Sequence, residues 1–197
     1  SESRTALRQL QGRRPACPTV IQMSDRYRTL LLLRHAKSDY PSGVADHDRP
    51  LADRGIREAA LVGDWIRTSV SPVDAVLCST ATRTRQTLER TGIDAPVHYV
   101  DRIYEATPGI IIDEINGVAA RFGDATGDPS TLLVVGHEPV MSGLALGLAD
   151  EATSRGATAE AILEKFPTSA VAVLRTNRPW AELELRGAEL VDFYIAR

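Results

Sequence analysis

Four leucines in a row, Leu30 to Leu33, stop abruptly at Arg34-His35-Ala36-Lys37-Ser38. Bounded by polar residues, the run reads as a buried strand, although periodicity alone leaves a buried helical segment open. Open α/β sheets place their ligands at the carboxyl ends of their strands. Arg34 and His35 would then stand where a ligand binds, and both side chains can handle phosphate. Taken alone, such a pair is more often structural than catalytic.

Two later runs repeat the arrangement. Residues 53–70 carry Ile56, Ala59, Ala60, Gly63, Ile66 and Val70 at spacings of three and four, with Arg54, Arg57, Glu58, Asp64 and Arg67 around the rest, as expected of an amphipathic helix. Asp53 or a neighbour is expected to cap it. A second apolar strand is expected at 73–78, so strand, helix and strand make a parallel pair with a right-handed crossover. Ser79 or Thr80 is then expected to cap a helix that puts Arg83, Gln86 and Thr87 on one face and turns Arg85 away.

Residues 131–135 form the clearest strand and run straight into Gly136-His137-Glu138-Pro139. An apolar helix with Val140, Met141, Leu144, Ala145 and Leu148 follows, and Pro139 suits its first turn. His137 thus precedes a helix N-terminus, a place favourable to anions. Elsewhere the pattern predicts a strand at 97–100, helices at 108–121 and 159–165, a turn-rich connector at 123–129, and a terminal hairpin from 168–175 and 181–185. His47, between Asp46 and Asp48 in the polar loop 37–50, reads as solvated rather than metal-binding. His98 and Trp180 read as structural.

Composition bounds the rest. A chain of 197 residues, 43% hydrophobic and 25% charged, suits one soluble domain. A net charge of −3 speaks against nucleic acid or an acidic membrane as the partner of the whole protein. Cys17 and Cys78 make neither a disulfide framework nor a ligand cluster, which suggests a reducing, cytoplasmic setting. No apolar stretch approaches the roughly 20 residues of a membrane span. Residues 1–24, rich in arginine and without the apolar middle of a secretory signal, are expected to be a flexible leader, with Met23 as an alternative start. Residues 25–197 are expected to be a single domain.

Together the three strand ends resemble the histidine phosphatase superfamily, the phosphoglycerate mutase-like family. The matching pieces are Arg34-His35-Ala36-Lys37-Ser38, then Ser79-x-x-x-Arg83-x-x-Gln86-Thr87, then Gly136-His137-Glu138-Pro139. Asp48-Arg49-Pro50-Leu51-x-x-x-Gly55 and Phe166-Pro167-Thr168-Ser169 extend the similarity. Ala36 and the short length are most similar to the small, SixA-like phosphohistidine phosphatase branch.

The resemblance implies a three-layer α/β/α sandwich with a mostly parallel central sheet. It also implies a metal-independent phosphatase without cofactor, with His35 as nucleophile and Arg34, Arg83 and His137 around the phosphoryl group. Planar guanidinium groups suit that task, since they give paired, charge-assisted hydrogen bonds. Glu105 is the expected general acid, and Ser38 and Lys37 are further candidates for substrate contact. The implied substrate is a phosphorylated protein, carrying phosphohistidine, or a small phosphorylated metabolite. A phosphoglycerate mutase-type phosphotransferase and a phosphoprotein-binding module with a weak site are the alternatives.

Overall fold

The period of two along the first strand sorts the molecule into layers. In the computed structural model, which describes residues 26–197, β1 spans Arg28–Arg34. Leu30 and Leu32 enter a core shared with Ile111, Ile115, Phe122 and Leu144, whereas Leu31 and Leu33 meet Val62, Ile66 and Leu88 on the opposite face. Each of the four leucines is fully buried. At about 1.5–3 kcal/mol for each buried side chain, the run anchors the sheet on both faces. It is therefore a strand rather than a helical segment.

The chain alternates strands and helices through α1 (Asp53–Ser69), β2 (Ala75–Ser79), α2 (Thr82–Thr91) and β3 (Val97–Val100). It continues with α3 (Pro108–Asn116), α4 (Val118–Thr126), β4 (Thr131–Gly136), α5 (Val140–Leu148) and α6 (Gly156–Glu164). β5 (Ala170–Thr176) and β6 (Glu189–Ile195) close it. The sheet order is β3-β2-β4-β1-β5-β6. Pairings from β3 to β1 are parallel, and those of β5 with β1 and β6 are antiparallel. Helices α1 and α2 cover one face and α3 to α6 the other, which gives the three-layer sandwich and sets the ends of β1, β2 and β4 side by side.

Several boundaries differ from the sequence reading. The helix expected over 108–121 breaks at Gly117 (φ −86°, ψ 0°), and α4 runs on to Thr126 through much of the expected connector. Glycine is a poor helix former, and the break lets both halves bury apolar residues, Ile111 and Ile115 before it and Val118 and Phe122 after it. The second hairpin strand lies at Glu189–Ile195, not at 181–185. Trp180 is buried and its indole N–H donates to the Pro129 carbonyl at 2.7 Å, which holds Trp180–Glu182 in a 3₁₀ turn. Neither α1 nor α2 has a side-chain N-cap; they begin after Ala52 and Ala81. The leader, Met23 and Cys17 lie outside the described residues.

Candidate active site

The backbone pairing of β1 with β4 continues one residue beyond the strand. His35 N–H donates to the Gly136 carbonyl at 2.9 Å, which brings His35 beside His137, their ring centroids 5.4 Å apart. His35 Nδ1 lies 2.8 Å from the Ala36 carbonyl oxygen. A carbonyl only accepts, so Nδ1 carries the proton and Nε2 keeps its lone pair. Burial pushes the His35 pKa down to about 4, against the Ala36 hydrogen bond and with help from the positive charges of Arg83, Arg34 and Arg49. The ring is neutral at neutral pH.

The segment around His35 is clamped from several sides. Ala36 N–H donates to Thr87 Oγ1 at 2.9 Å, and the same hydroxyl donates to the Arg83 carbonyl at 2.6 Å. Gln86 Oε1 accepts from Leu51 N–H at 2.8 Å. Thus Gln86 and Thr87, on the inner face of α2 as the spacing predicted, tie that helix to Leu51 and Ala36. Gly55 is needed for a different reason: a Cβ there would lie 2.1 Å from the Lys37 carbonyl oxygen. Ser169 (φ 63°) donates its N–H to the carbonyls of both Arg34 and His35, each at 3.2 Å.

The two arginines differ in their partners. Arg34 donates from Nη1 to the Phe166 carbonyl at 2.8 Å and forms no ion pair among the described residues. Burial lowers its pKa, while the Glu138 charge acts the other way. Arg83 donates from Nη1 to the Asp46 carbonyl at 2.7 Å and from Nη2 to the Asp46 carboxylate at 3.1 Å.

His137 completes the group. Its Nε2 lies 2.8 Å from Ser79 Oγ, which itself accepts from Ala81 N–H at 3.4 Å. The serine hydroxyl has one hydrogen and two lone pairs, so it pairs with His137 Nε2 in either tautomer of the ring. Burial, reinforced by His35 and Arg83, pushes the His137 pKa down to about 3. Six buried side-chain polar atoms have no partner among the described residues, and three of them are Arg34 Nε, Arg83 Nε and His137 Nδ1.

The remaining expected residues are placed less centrally. Glu105 is exposed and makes no side-chain hydrogen bond or ion pair among the described residues. Ser38 is buried, and its backbone bridges to Leu51. Lys37 is half-buried, with Nζ 5.6 Å from the Tyr40 ring centroid. Sequence reasoning missed Asp46, Arg49 and Tyr104. The Tyr104 hydroxyl donates to the Asp46 carboxylate, and its ring meets that of His137 edge-on at 5.6 Å. His47 is more than solvated: its Nε2 lies 3.0 Å from Thr80 Oγ1. Asp46 and Arg49 lie beside and within the Asp48-Arg49-Pro50 segment, and Tyr104 directly precedes Glu105, but nothing in the sequence joins the three. Among the described residues, no group of three His, Cys, Asp or Glu side chains could hold a metal ion, and no helix is long and apolar enough to cross a membrane.

The chain is similar to known proteins. The chain is 58% identical over 165 residues to the uncharacterized protein Rv1276c of Mycobacterium tuberculosis, covering 84% of this chain and all of that one. A solved structure from Nakamurella multipartitia, provisionally named phosphohistidine phosphatase SixA, is 39% identical with a TM-score of 0.77 over 86% of this chain and 96% of that one. A second, provisionally named in the same way and from Agrobacterium tumefaciens, is 27% identical with a TM-score of 0.66 over 85% and 97%. Residues 30–129, half of the chain, match the family model of the histidine phosphatase superfamily (branch 1), from the first leucine of β1 to the connection between α4 and β4. Fold, motif order and relatives agree, and this chain belongs to the histidine phosphatase superfamily.

Proposed function

We propose that this histidine phosphatase hydrolyses protein phosphohistidine through a phosphorylated His35, without a metal ion. The observation that carries the reading is the pair of buried Nε–H donors without partners on Arg34 and Arg83, with the equally unpartnered Nδ1 of His137, beside a neutral imidazole. A buried donor without an acceptor costs about 1–3 kcal/mol, so a group of them marks a place for an anion. A phosphoryl group supplies the missing acceptor oxygens.

In the first step His35 Nε2 attacks phosphorus, a P–Nε2 bond forms, and the bond to the leaving nitrogen breaks. The leaving imidazolate takes a proton from water, and the hydroxide formed takes up the proton released by the attacking water of the second step. The Ala36 carbonyl, already bonded to Nδ1–H, steadies the positive charge that develops on His35. In the second step water attacks phosphorus, the P–Nε2 bond breaks, and phosphate leaves with His35 neutral again. Fixed guanidinium groups supply the charge that a divalent ion supplies in other phosphoryl-transfer sites.

Phosphohistidine is favoured over a phosphate ester by the site's acids. An ester oxygen needs a proton donor, but Asp46, the carboxylate bonded to Arg83, is held below the usual carboxylate range by the Tyr104 hydroxyl and Arg83. Glu105 has no contact that would hold it at the reacting atoms. The names of the solved relatives point to the same substrate class. Brief incubation with a ³²P-labelled phosphohistidine protein, quenched in alkali, should leave label on His35. His35→Ala should lose label and at least about 10⁴-fold in turnover. Turnover retained in His35→Ala would overturn the proposal.

A further inference from the structure

The 3₁₀ turn Asp46–Asp48 lies in the loop after the nucleophile and touches the site through a carboxylate with no place in the reaction above. The Asp46 side chain is 57% exposed, yet it gathers three donors. Arg83 Nη2 and the Tyr104 hydroxyl reach its Oδ2, and Arg49 Nε reaches its Oδ1 at 3.1 Å. Its own carbonyl takes Arg83 Nη1 at 2.7 Å. The neighbouring His47 fastens the same turn to Thr80, at the end of β2.

An acid on a phosphate-binding arginine could do one of two opposite things. It could cancel the charge and occupy the site, or it could hold the guanidinium in the direction the phosphoryl group needs. The donor count favours the second. A guanidinium has five N–H groups. Asp46 accepts from two of them, and Nε–H is buried and without a partner. The charge count agrees, since one carboxylate faces both Arg83 and Arg49 while Arg34 has no acid partner among the described residues. A long arginine side chain otherwise loses rotamer freedom when it binds, and fixing it beforehand removes that loss.

We propose that Asp46 is a positioning residue: its carboxylate and carbonyl, steadied by Tyr104 and Arg49, aim the free edge of Arg83 at the transferring phosphoryl group. The proposal rests on the reading of Arg83 as a phosphoryl-binding residue.

The test compares Asp46→Asn with Asp48→Asn in the full chain, by orthovanadate inhibition, steady-state kinetics and thermal unfolding. Asp48 is on the same turn, so its substitution removes an equal charge nearby. Asp46→Asn should raise the vanadate inhibition constant roughly tenfold and lower kcat about as much, with KM little changed. Asp48→Asn should change each by less than about twofold, as expected of an exposed charge. Tyr104→Phe, which leaves the carboxylate in place, should fall between them. Equal or tighter vanadate binding by Asp46→Asn would show charge cancellation and overturn the proposal. An equal effect of Asp48→Asn would reduce it to long-range charge and overturn it as well. Label trapped on His35 separates the two readings: its absence from the native protein sinks the phosphohistidine reading, whereas its presence with unaltered vanadate binding in Asp46→Asn sinks only the role of Asp46.

Discussion

Strand β1 carries an arginine at each end, and the two live in opposite circumstances. At its amino end Arg28 is buried, its guanidinium bonded to the Asp128 carboxylate and to the Arg178 carbonyl. At its carboxyl end Arg34 has the Phe166 carbonyl and no ion pair among the described residues. The same side chain, six residues apart on one strand, is ion-paired in one place and not in the other. A half-buried guanidinium without an ion pair is open to an anion, and in the proposed function that anion is the phosphoryl group. The amino end uses its charge in the fold, and the proposed function gives the charge at the carboxyl end to the ligand.

The largest effect should come from breaking this contrast directly. Arg34→Met removes a preorganised donor and should lower kcat/KM by about 10²–10³-fold, with the melting temperature unchanged or raised. Arg28→Met strands the Asp128 carboxylate and should cost about 2 kcal/mol of stability, with kcat/KM unchanged in the folded protein. Denaturant unfolding and steady-state kinetics on both variants measure the two columns. A loss of activity in folded Arg28→Met, or a loss of stability without loss of activity in Arg34→Met, would break the contrast.

The carboxyl-end residues were legible in the sequence because apolar runs point to them. Leu30–Leu33 end at Arg34-His35 and Leu132–Val135 end at Gly136-His137, so the strand end and the candidate side chain coincide in sequence. Asp46 and Tyr104 were not legible. They lie 58 positions apart, on a loop and at the end of a 3₁₀ turn, and only the tertiary fold brings them together. Ser79 or Thr80 is the cap the sequence suggests, but the Ser79 hydroxyl goes to His137 and that of Thr80 to His47, choices that local propensity does not encode. The second strand of the hairpin was misplaced because Leu183 and Leu185 supply the same apolar density as a strand. The contact of Trp180 with Pro129, 51 residues away, decided otherwise.

A smaller and pH-dependent effect should separate the ends further. The folded-state pKa values of His35 and His137, about 4 and about 3, both lie below the ordinary 6.5. As pH falls through about 6.5 the unfolded chain therefore takes up protons that the folded protein refuses. Stability falls with pH over that range and continues to fall towards the folded values. By pH 5 the loss is about 1–2 kcal/mol for each histidine. Denaturant melts between pH 7 and pH 5 should be steeper in pH for the native protein than for His35→Asn. Equal slopes would mean that His35 is not held neutral. In activity, the acid limb of kcat/KM should lie below pH 6, since the nucleophile stays unprotonated until the pH nears its folded value.

The smallest effect concerns whether the carboxyl end needs an acid at all. Glu105 follows the turn that carries Tyr104, yet its side chain is exposed and bonded to nothing among the described residues. A general acid has to reach the leaving atom within hydrogen-bond distance, directly or through one water. An exposed carboxylate without a partner is not held to any such position in the unliganded protein. Glu105→Gln should therefore leave phosphoramidate hydrolysis within about threefold and lower ester hydrolysis only modestly, well short of the 10²–10⁴-fold that general acid catalysis contributes. The comparison of the two substrates in one variant carries the information. A hundredfold loss confined to the ester would show that substrate binding draws Glu105 onto the leaving oxygen. It would add a proton donor to the end of the sheet where the arginines and neutral imidazoles gather.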